Sequence, residues 1–249
     1  MRFSPYSASK IMMYNQCPRK FKYKFVDKIK VPFVPSVALT RGNIVHSFLE
    51  NHEKPLKEKL ELLKKDWQIA KSEFFTKEVI KECIDIYNRF VSTEVGKDLL
   101  SHMTLANELR CAFDTKLKPT DYDAKDCLFR GKIDRVSVEV EKDLVHVIDW
   151  KTGKDKSTGS FKQDPFQLMS YAAWYFAQFP VDKLIISYVF VEHENAKLDY
   201  ELSRDNLEKY NKRLLVDIVK IEKDEVFEKI EGPLCDYCDF QDHCISDRS

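Results

Sequence analysis

The sequence predicts an α/β (α+β) protein: a small central mixed sheet flanked by helices. Three observations point there. Residues from about 40 to 96 read as helix, four later segments read as strands, and further helical patterns separate and follow those strands. A length of 249 residues suits one domain of ordinary to large size, so a single domain over 1–249 is expected, with a helical insertion over 52–100.

The elements follow in chain order. In SPYSASKIMMYNQCPRKFKYKF, Ser7 suits the N-cap of a short helix that must stop before Pro18. Phe21, Tyr23 and Phe25 then alternate among lysines, which fits a half-buried strand or helix end, and equally a surface where bases stack between backbone contacts. The segments EKPLKEKLELLKKDWQIAKSEFF and TKEVIKECIDIYNRFV mix polar and apolar residues at helical spacing, with no glycine between Gly42 and Gly96. LANELRCAF, CLFRGKIDRVSVEV and LVHVIDWKT are the first strands, with Glu141-Lys142 as a hairpin centre. A helix from about Asp164 to Phe179, the strand KLIISYVFVE and a charged helix from about Ser203 to Lys229 complete the pattern.

Composition narrows the function. The 41 Lys and Arg balance 41 Asp and Glu, which argues against a protein whose whole surface is a counter-charge for nucleic acid. Neutrality is nevertheless the sum of opposed regions. Residues 1–41 carry nine bases and one acid, leaving 32 bases and 40 acids in residues 42–249. The basic segment, with Lys20, Lys22 and Lys24, is the expected contact for a DNA backbone. No apolar run approaches the roughly 18 residues of a membrane span, and MRFSPYSASK lacks the apolar core of a signal peptide. The expectation is an intracellular, cytoplasmic protein without a membrane partner.

The segment GKIDRVSVEVEKDLVHVIDWKT carries the chemistry. A two-residue turn at Glu141-Lys142 pairs Val140 with Asp143, and counting outward sets Asp134 across from Asp149. Alternation puts Lys151 on the face of Asp149, while Trp150 points the other way to pack. Both faces of the second strand are apolar around these charges, which weakens the reading of an exposed ion ladder. Opposed carboxylates require a compensating cation: Lys151 supplies part of it and a divalent metal would supply more. Hard oxygen ligands suit Mg²⁺ or Mn²⁺ better than zinc, and a neighbouring lysine suits phosphate chemistry, so the implied reaction is phosphodiester hydrolysis.

Seven cysteines are an odd number, and in a reducing compartment clustered cysteines read first as ligands. Cys235, Cys238 and Cys244 form C-x2-C-x5-C near the end of the chain, and Cys17 stands alone near its start. Spacing leaves iron-sulfur and zinc open, the latter with four cysteines or with His243 replacing one. Cys83, Cys111 and Cys127 read as small apolar residues.

These residues resemble the PD-(D/E)XK nuclease superfamily, whose acid and acid-x-lysine signature corresponds to Asp134 and Asp149-Trp150-Lys151. RGNIVHSFLE is similar to the motif that places a histidine on a helix, here His46. QLMSY is similar to the Q-x3-Y motif of the RecB-type branch, here Gln167 and Tyr171, one helical turn apart and so on one face. Core packing is the competing reading for Tyr171, and an ordinary histidine for His46; the order of the whole set favours the site. The resemblance implies a restriction-endonuclease-like sheet. It implies metal ligation by His46, Asp134 and Asp149, with the Trp150 carbonyl as a further ligand, and catalysis by Asp134, Asp149, Lys151, Gln167 and Tyr171. Glu50, one turn after His46, is a candidate to orient its ring.

In the iron-sulfur subset of RecB-like nucleases, similar to CRISPR-adaptation nucleases and the AddB C-terminal nuclease domain, one cysteine precedes the nuclease core and three follow it. That layout implies a [4Fe-4S] cluster on Cys17, Cys235, Cys238 and Cys244, with Zn²⁺ as the alternative. Residues 1–41 and 231–249 would then form a linked terminal subdomain, stapled on the order of several kcal/mol as a cross-link. The expected activity is a metal-dependent exonuclease on single-stranded DNA or DNA ends; the alternative is a non-catalytic DNA-binding or scaffold subunit. No G-x4-GK[ST] helicase signature is present, so any motor belongs to a partner, and the resemblance implies helicase, recombination or CRISPR-adaptation proteins.

Overall fold

The computed structural model describes residues 2–32, 36–153, 164–194 and 196–246. Its helices are α1 (Ala8–Gln16), α2 (Pro18–Phe21), α3 (Val37–Glu50), α4 (Leu56–Lys65), α5 (Trp67–Ala70), α6 (Lys77–Ser92), α7 (Glu94–Ser101), α8 (Phe166–Gln178), α9 (Leu207–Lys223) and α10 (Gln241–Ser246). The strands are β1 (Met103–Asp114), β2 (Cys127–Glu139), β3 (Leu144–Lys151), β4 (Lys183–Phe190) and β5 (Lys197–Ser203), in the sheet order β1-β2-β3-β4-β5. The β2/β3 and β4/β5 pairs are antiparallel and β3/β4 is parallel, so the sheet is mixed as expected. Two compact units divide the chain. One comprises Met1–Phe33, Cys111–Gly131 and Leu207–Ser249, the other Val34–Arg110 and Lys132–Asn206.

In the second unit, hydroxyl caps start three of the helices. Ser36 accepts the Leu39 amide, Thr76 that of Val79 and Thr93 that of Gly96. Gly96 is required for space, because a Cβ there would stand 2.0 Å from the Phe90 carbonyl oxygen. The apolar stripes of α3 and α6 meet Ile148, Trp150, Val189 and Val191 in one core, with Phe90 and Trp150 edge to face at 5.7 Å. The long helical reading of 40–96 thus resolves into separate helices around one apolar face.

The β2/β3 register is the expected one, Arg135 opposite Ile148 and Glu139 opposite Leu144. The connection is wider than a two-residue turn. Residues Val140–Lys142 form a 3-10 turn and Asp143 takes the left-handed conformation (φ 48°) before β3 begins. Adding one residue to each arm preserves the pairing, which explains why the register survives the change.

Strand β5 was not legible as a strand, although Leu198, Tyr200 and Leu202 alternate. Its charged flanks and its position before a helical pattern mask it.

In the first unit, Ser7 caps α1 by accepting the Lys10 amide. The alternating aromatics lie on helix: α2 runs into a π-helical turn, Lys22–Val26, closed by Asp27 N–H to the Lys22 carbonyl at 2.9 Å. Phe21 and Tyr23 are buried. The final long helix stops at Lys223 rather than Lys229. The Asp224 carboxylate accepts the amides of Val226 and Phe227 at 2.9 and 2.8 Å, and Phe227 turns left-handed (φ 53°), which ends the helix. The phenol of Tyr14 donates to the same carboxylate at 2.6 Å, tying α1 to this turn. Phe227 stacks on Phe21 at 6.1 Å, within an aromatic core that includes Phe3 and Tyr14.

Candidate active site

The β2/β3 ladder ends at Arg135 and Ile148, and one residue beyond stand Asp134 and Asp149. In place of a further backbone bond, the Trp150 amide donates to Asp134 Oδ2 at 2.8 Å. This exchange brings the two carboxylates together. Asp149 is 3% exposed, paired on its other side with Tyr188 of β4. Lys151 Nζ lies 2.5 Å from Asp149 Oδ2, above the Tyr188 ring at 5.1 Å.

Helix α8 supplies the next layer. Its first turn opens with the Asp164 carboxylate accepting the Phe166 amide at 2.8 Å. One face of the helix then brings Gln167 Oε1 to 3.2 Å from Lys151 Nζ, while Gln167 Nε2 donates to the Tyr171 hydroxyl at 3.0 Å. From α3, His46 Nδ1 stands 3.5 Å from Asp134 Oδ2. Asp134, Asp149, Trp150, Lys151, Gln167, Tyr171 and His46 therefore form one connected set within the second unit. For Glu50, the described contact is its backbone carbonyl, which accepts Asn107 Nδ2 at 2.8 Å.

The electrostatics fit a cation. Burial first, and the Asp149 carboxylate second, push Asp134 up to about 8 against the opposing pull of the Trp150 amide and Lys151. Burial lowers His46 below the usual imidazole range, so its ring is neutral and offers a lone pair. Asp149 Oδ2 is buried without a hydrogen bond of good geometry despite its ion pair to Lys151. A buried carboxylate whose Oδ2 meets only an ammonium, a second, half-buried carboxyl and a neutral imidazole are a donor set that a divalent metal satisfies.

The model of the PD-(D/E)XK nuclease superfamily matches residues 5–245. The chain belongs to the PD-(D/E)XK nuclease superfamily. Enzymes of this superfamily hydrolyse nucleic acid phosphodiesters and use divalent metals. No curated protein matches this nuclease. Among solved structures it is similar to the crystal structure of a "putative exonuclease" from Eubacterium rectale, with a TM-score of 0.57 and 16% identity over 93% of this chain and 86% of that one. That likeness shows the fold alone. The crystal structure of SSO0001 matches at a TM-score of 0.39 and 12% identity over 96% of this chain and 85% of that one, too slight to bear on the fold.

Sequence patterns gave no sign of the residues that brace Gly153, just after β3 of this nuclease. Glu192 accepts the Gly153 amide at 2.7 Å and is gripped by Arg41 Nη2, 3.1 Å from each carboxylate oxygen. His193 Nε2 sits 2.7 Å from the Gly153 carbonyl. Arg41 and Glu192 are some 150 residues apart, so no local spacing marks them.

The other expected ligands lie in the first unit. Cys17, Cys235, Cys238 and Cys244 all line one cavity of about 420 Å³, with Arg19, Lys20 and Lys229. Lys20 pairs with Asp239 at 3.5 Å, Lys22 with Asp27 at 2.7 Å, and Lys24 Nζ lies 5.8 Å from the Phe25 ring. Cys83, Cys111 and Cys127 are buried as expected of apolar residues, and burial raises the Cys83 and Cys111 thiols to about 12. No described helix is long and apolar enough to cross a membrane.

The Asp134 shift sets a pH dependence. Unfolded, this carboxyl ionises near 3.8; folded and metal-free, it keeps its proton to about 8. The native state therefore binds more protons between these values, and stability must fall as pH rises through them. Chelator-treated protein should lose up to about 1.4 kcal/mol per pH unit from this one group. Asp134→Asn should flatten that component and be the more stable protein at pH 7. Denaturant titrations at several pH values, giving the same pH slope for both proteins, would refute this environment for Asp134.

Proposed function

We propose that the chain is a metal-dependent DNA exonuclease acting on single strands or DNA ends, with the set around Asp134 and Asp149 as its centre. The observation that carries the reading is the convergence of a buried and a half-buried carboxylate, a neutral imidazole and a lysine at the end of one strand ladder. His46, Asp134 and Asp149 would hold Mg²⁺ or Mn²⁺, with the Trp150 carbonyl as a further ligand. Bound there, such an ion supplies a Lewis acid for a phosphoryl oxygen and acidifies water.

The side chains do the rest. Lys151 orients the attacking water and offsets charge on the pentacoordinate phosphorus as the ester P–O bond breaks. Gln167 holds the ammonium by its carbonyl, and the Tyr171 hydroxyl fixes the amide the right way round by taking its N–H. The Trp150 indole, packed on Phe90, keeps the backbone of the Asp149-Lys151 segment from moving.

With Mn²⁺ supplied, wild-type protein should degrade linear single-stranded DNA and spare a closed single-stranded circle. Asp149→Ala should lose more than the roughly 100-fold that a supporting residue costs, and Gln167→Ala should fall within roughly 10- to 100-fold. Equal cleavage by wild type and Asp149→Ala would sink the site; equal cleavage of circle and linear strand would sink the exonuclease while leaving the nuclease.

For the cysteines we propose a [4Fe-4S] cluster with a stapling role. In support, all four line one cavity. His243 lies against the Tyr23 ring at 6.4 Å and is not among the residues lining the cavity. Anaerobically purified protein should be brown, with about four iron and four sulfide per chain, and Cys235→Ser should lose both and melt lower. A colourless protein with one zinc at these cysteines would overturn the assignment.

The basic segment is proposed as the DNA-backbone contact. Replacing Lys20, Lys22 and Lys24 by Gln should weaken binding and reduce the slope of log affinity against log salt by about 2 to 3. Because Lys20 also lines the cysteine cavity, iron content is measured on the same variant. Unchanged affinity and slope at full iron content would refute the contact.

A further inference from the structure

A second group of ligating side chains lies in the same unit as the carboxylates. One ligand atom each from His102, Glu139 and His146 lie within 4.8 Å of one another. They come from three places: the residue between α7 and β1, the end of β2, and β3. His146 alternates with Asp149 along β3 and projects from the opposite face, so this group is not an extension of the carboxylate site.

The group is built rather than incidental. His146 is 6% exposed and His102 is 9% exposed, their rings 4.7 Å apart. Neither ring nitrogen of His146, nor Nδ1 of His102, has a hydrogen-bond partner among the described residues. Buried polar atoms in native proteins are otherwise nearly all satisfied, and an orphan needs a reason. Here three sit together.

Their surroundings orient them toward one point. Asp98 Oδ1 lies 3.6 Å from His102 Nε2, which leaves Nδ1 as the ligating atom in the way a carboxylate orients a metal-bound imidazole. Arg135, fully buried, donates from Nη2 to the His102 carbonyl at 3.2 Å and fixes the backbone there. Lys142 takes one carboxylate oxygen of Glu139 at 2.7 Å, while the other stands 3.7 Å from His146 Nε2.

We propose that His102, Glu139 and His146 form a zinc site. Two imidazoles and one carboxylate suit zinc and reject magnesium, which takes oxygen ligands and dehydrates reluctantly. Water fills the fourth position of the tetrahedron. Drawing the donors onto one ion at about 2.0–2.1 Å needs shifts of about an ångström, within the reach of side-chain rotation. Occupied, the site would join the α7–β1 junction to the β2/β3 hairpin whose far end carries Asp134 and Asp149.

Full-length protein is dialysed against EDTA, equilibrated with micromolar zinc chloride and desalted, and its zinc is measured by elemental analysis beside its melting temperature. Wild type and both site variants retain the cysteines and the catalytic carboxylates, so the readout is a difference. His146→Gln and Glu139→Gln should each carry about one zinc per chain fewer than wild type and lose a zinc-induced rise in melting temperature, whereas Glu141→Gln, on the exposed turn beside the site, should keep both. If His146→Gln fails to fold, Glu139→Gln, altered at a partly exposed position, decides alone. Wild-type zinc content in the folded variants, or binding that needs millimolar zinc, overturns the proposal.

Discussion

The unit that holds the candidate site depends on one substitution of hydrogen-bonding partners. Where the β2/β3 ladder would continue, the Trp150 amide bonds to the Asp134 carboxylate instead of a backbone carbonyl. A buried amide must have a partner, so satisfying it with a side chain fixes that side chain as firmly as the strand itself. Asp134 is thereby held beside Asp149, where loss of solvent first and the neighbouring carboxylate second keep a proton on it at neutral pH. Lys151, Gln167 and Tyr171 then follow as a chain of donors and acceptors, each limiting the freedom of the one before. The apolar backing of Trp150 by Phe90 makes the arrangement rigid from the other side of the strand.

The parts of this site that could be read in sequence are those governed by fixed periods. Alternation along a strand put Asp149 and Lys151 on one face and sent Trp150 to the core. The pairing of Asp134 with Asp149 survived a wrong turn length, because the turn grew equally on both arms. The helical spacing of Gln167 and Tyr171 was legible for the same reason. Illegible were contacts made by residues far apart in the chain. Arg41 and Glu192 meet at Gly153 only because α3 and the turn after β4 converge there. The end of α9 was lost to a single side chain, Asp224, whose turn with Phe227 competes with continuing the helix. Strand β5 carries a period of two, but it is short and charged, and a propensity reading passes over such segments.

The first unit poses a different problem of stability. It is assembled from three pieces of chain separated by long intervals, Met1–Phe33, Cys111–Gly131 and Leu207–Ser249. Contacts between the first and last pieces must offset the entropy of closing a loop of nearly two hundred residues, a cost that grows slowly with length but is present from the start. Aromatic rings meet part of it: Phe227 returns to Phe3, Tyr14 and Phe21. Carboxylates add to this, with Glu222 taking the Tyr6 phenol at 2.8 Å and Asp224 that of Tyr14. Four thiols from the same two pieces lining one cavity are a further point of closure, and a cluster bound there would act on the unfolded chain as a cross-link does.

On the proposed assignments the chain carries three donor sets of different softness: carboxylates with one imidazole, two imidazoles with one carboxylate, and four thiolates. Affinity alone would not keep their metals apart, since the order of divalent affinities is much the same for most protein sites. Ligand type and geometry would. Hard oxygens at Asp134 and Asp149 leave waters free for an octahedral ion, while thiolates favour iron-sulfur or zinc and hold magnesium poorly. The imidazole pair falls between and takes zinc. Zinc in excess would compete for His46 and its carboxylates, with a tetrahedral preference that leaves fewer positions open for water and phosphate. A buried, preorganised zinc site on the opposite face of β3 would therefore stabilise the hairpin most safely when it saturates at zinc levels too low to load the catalytic carboxylates.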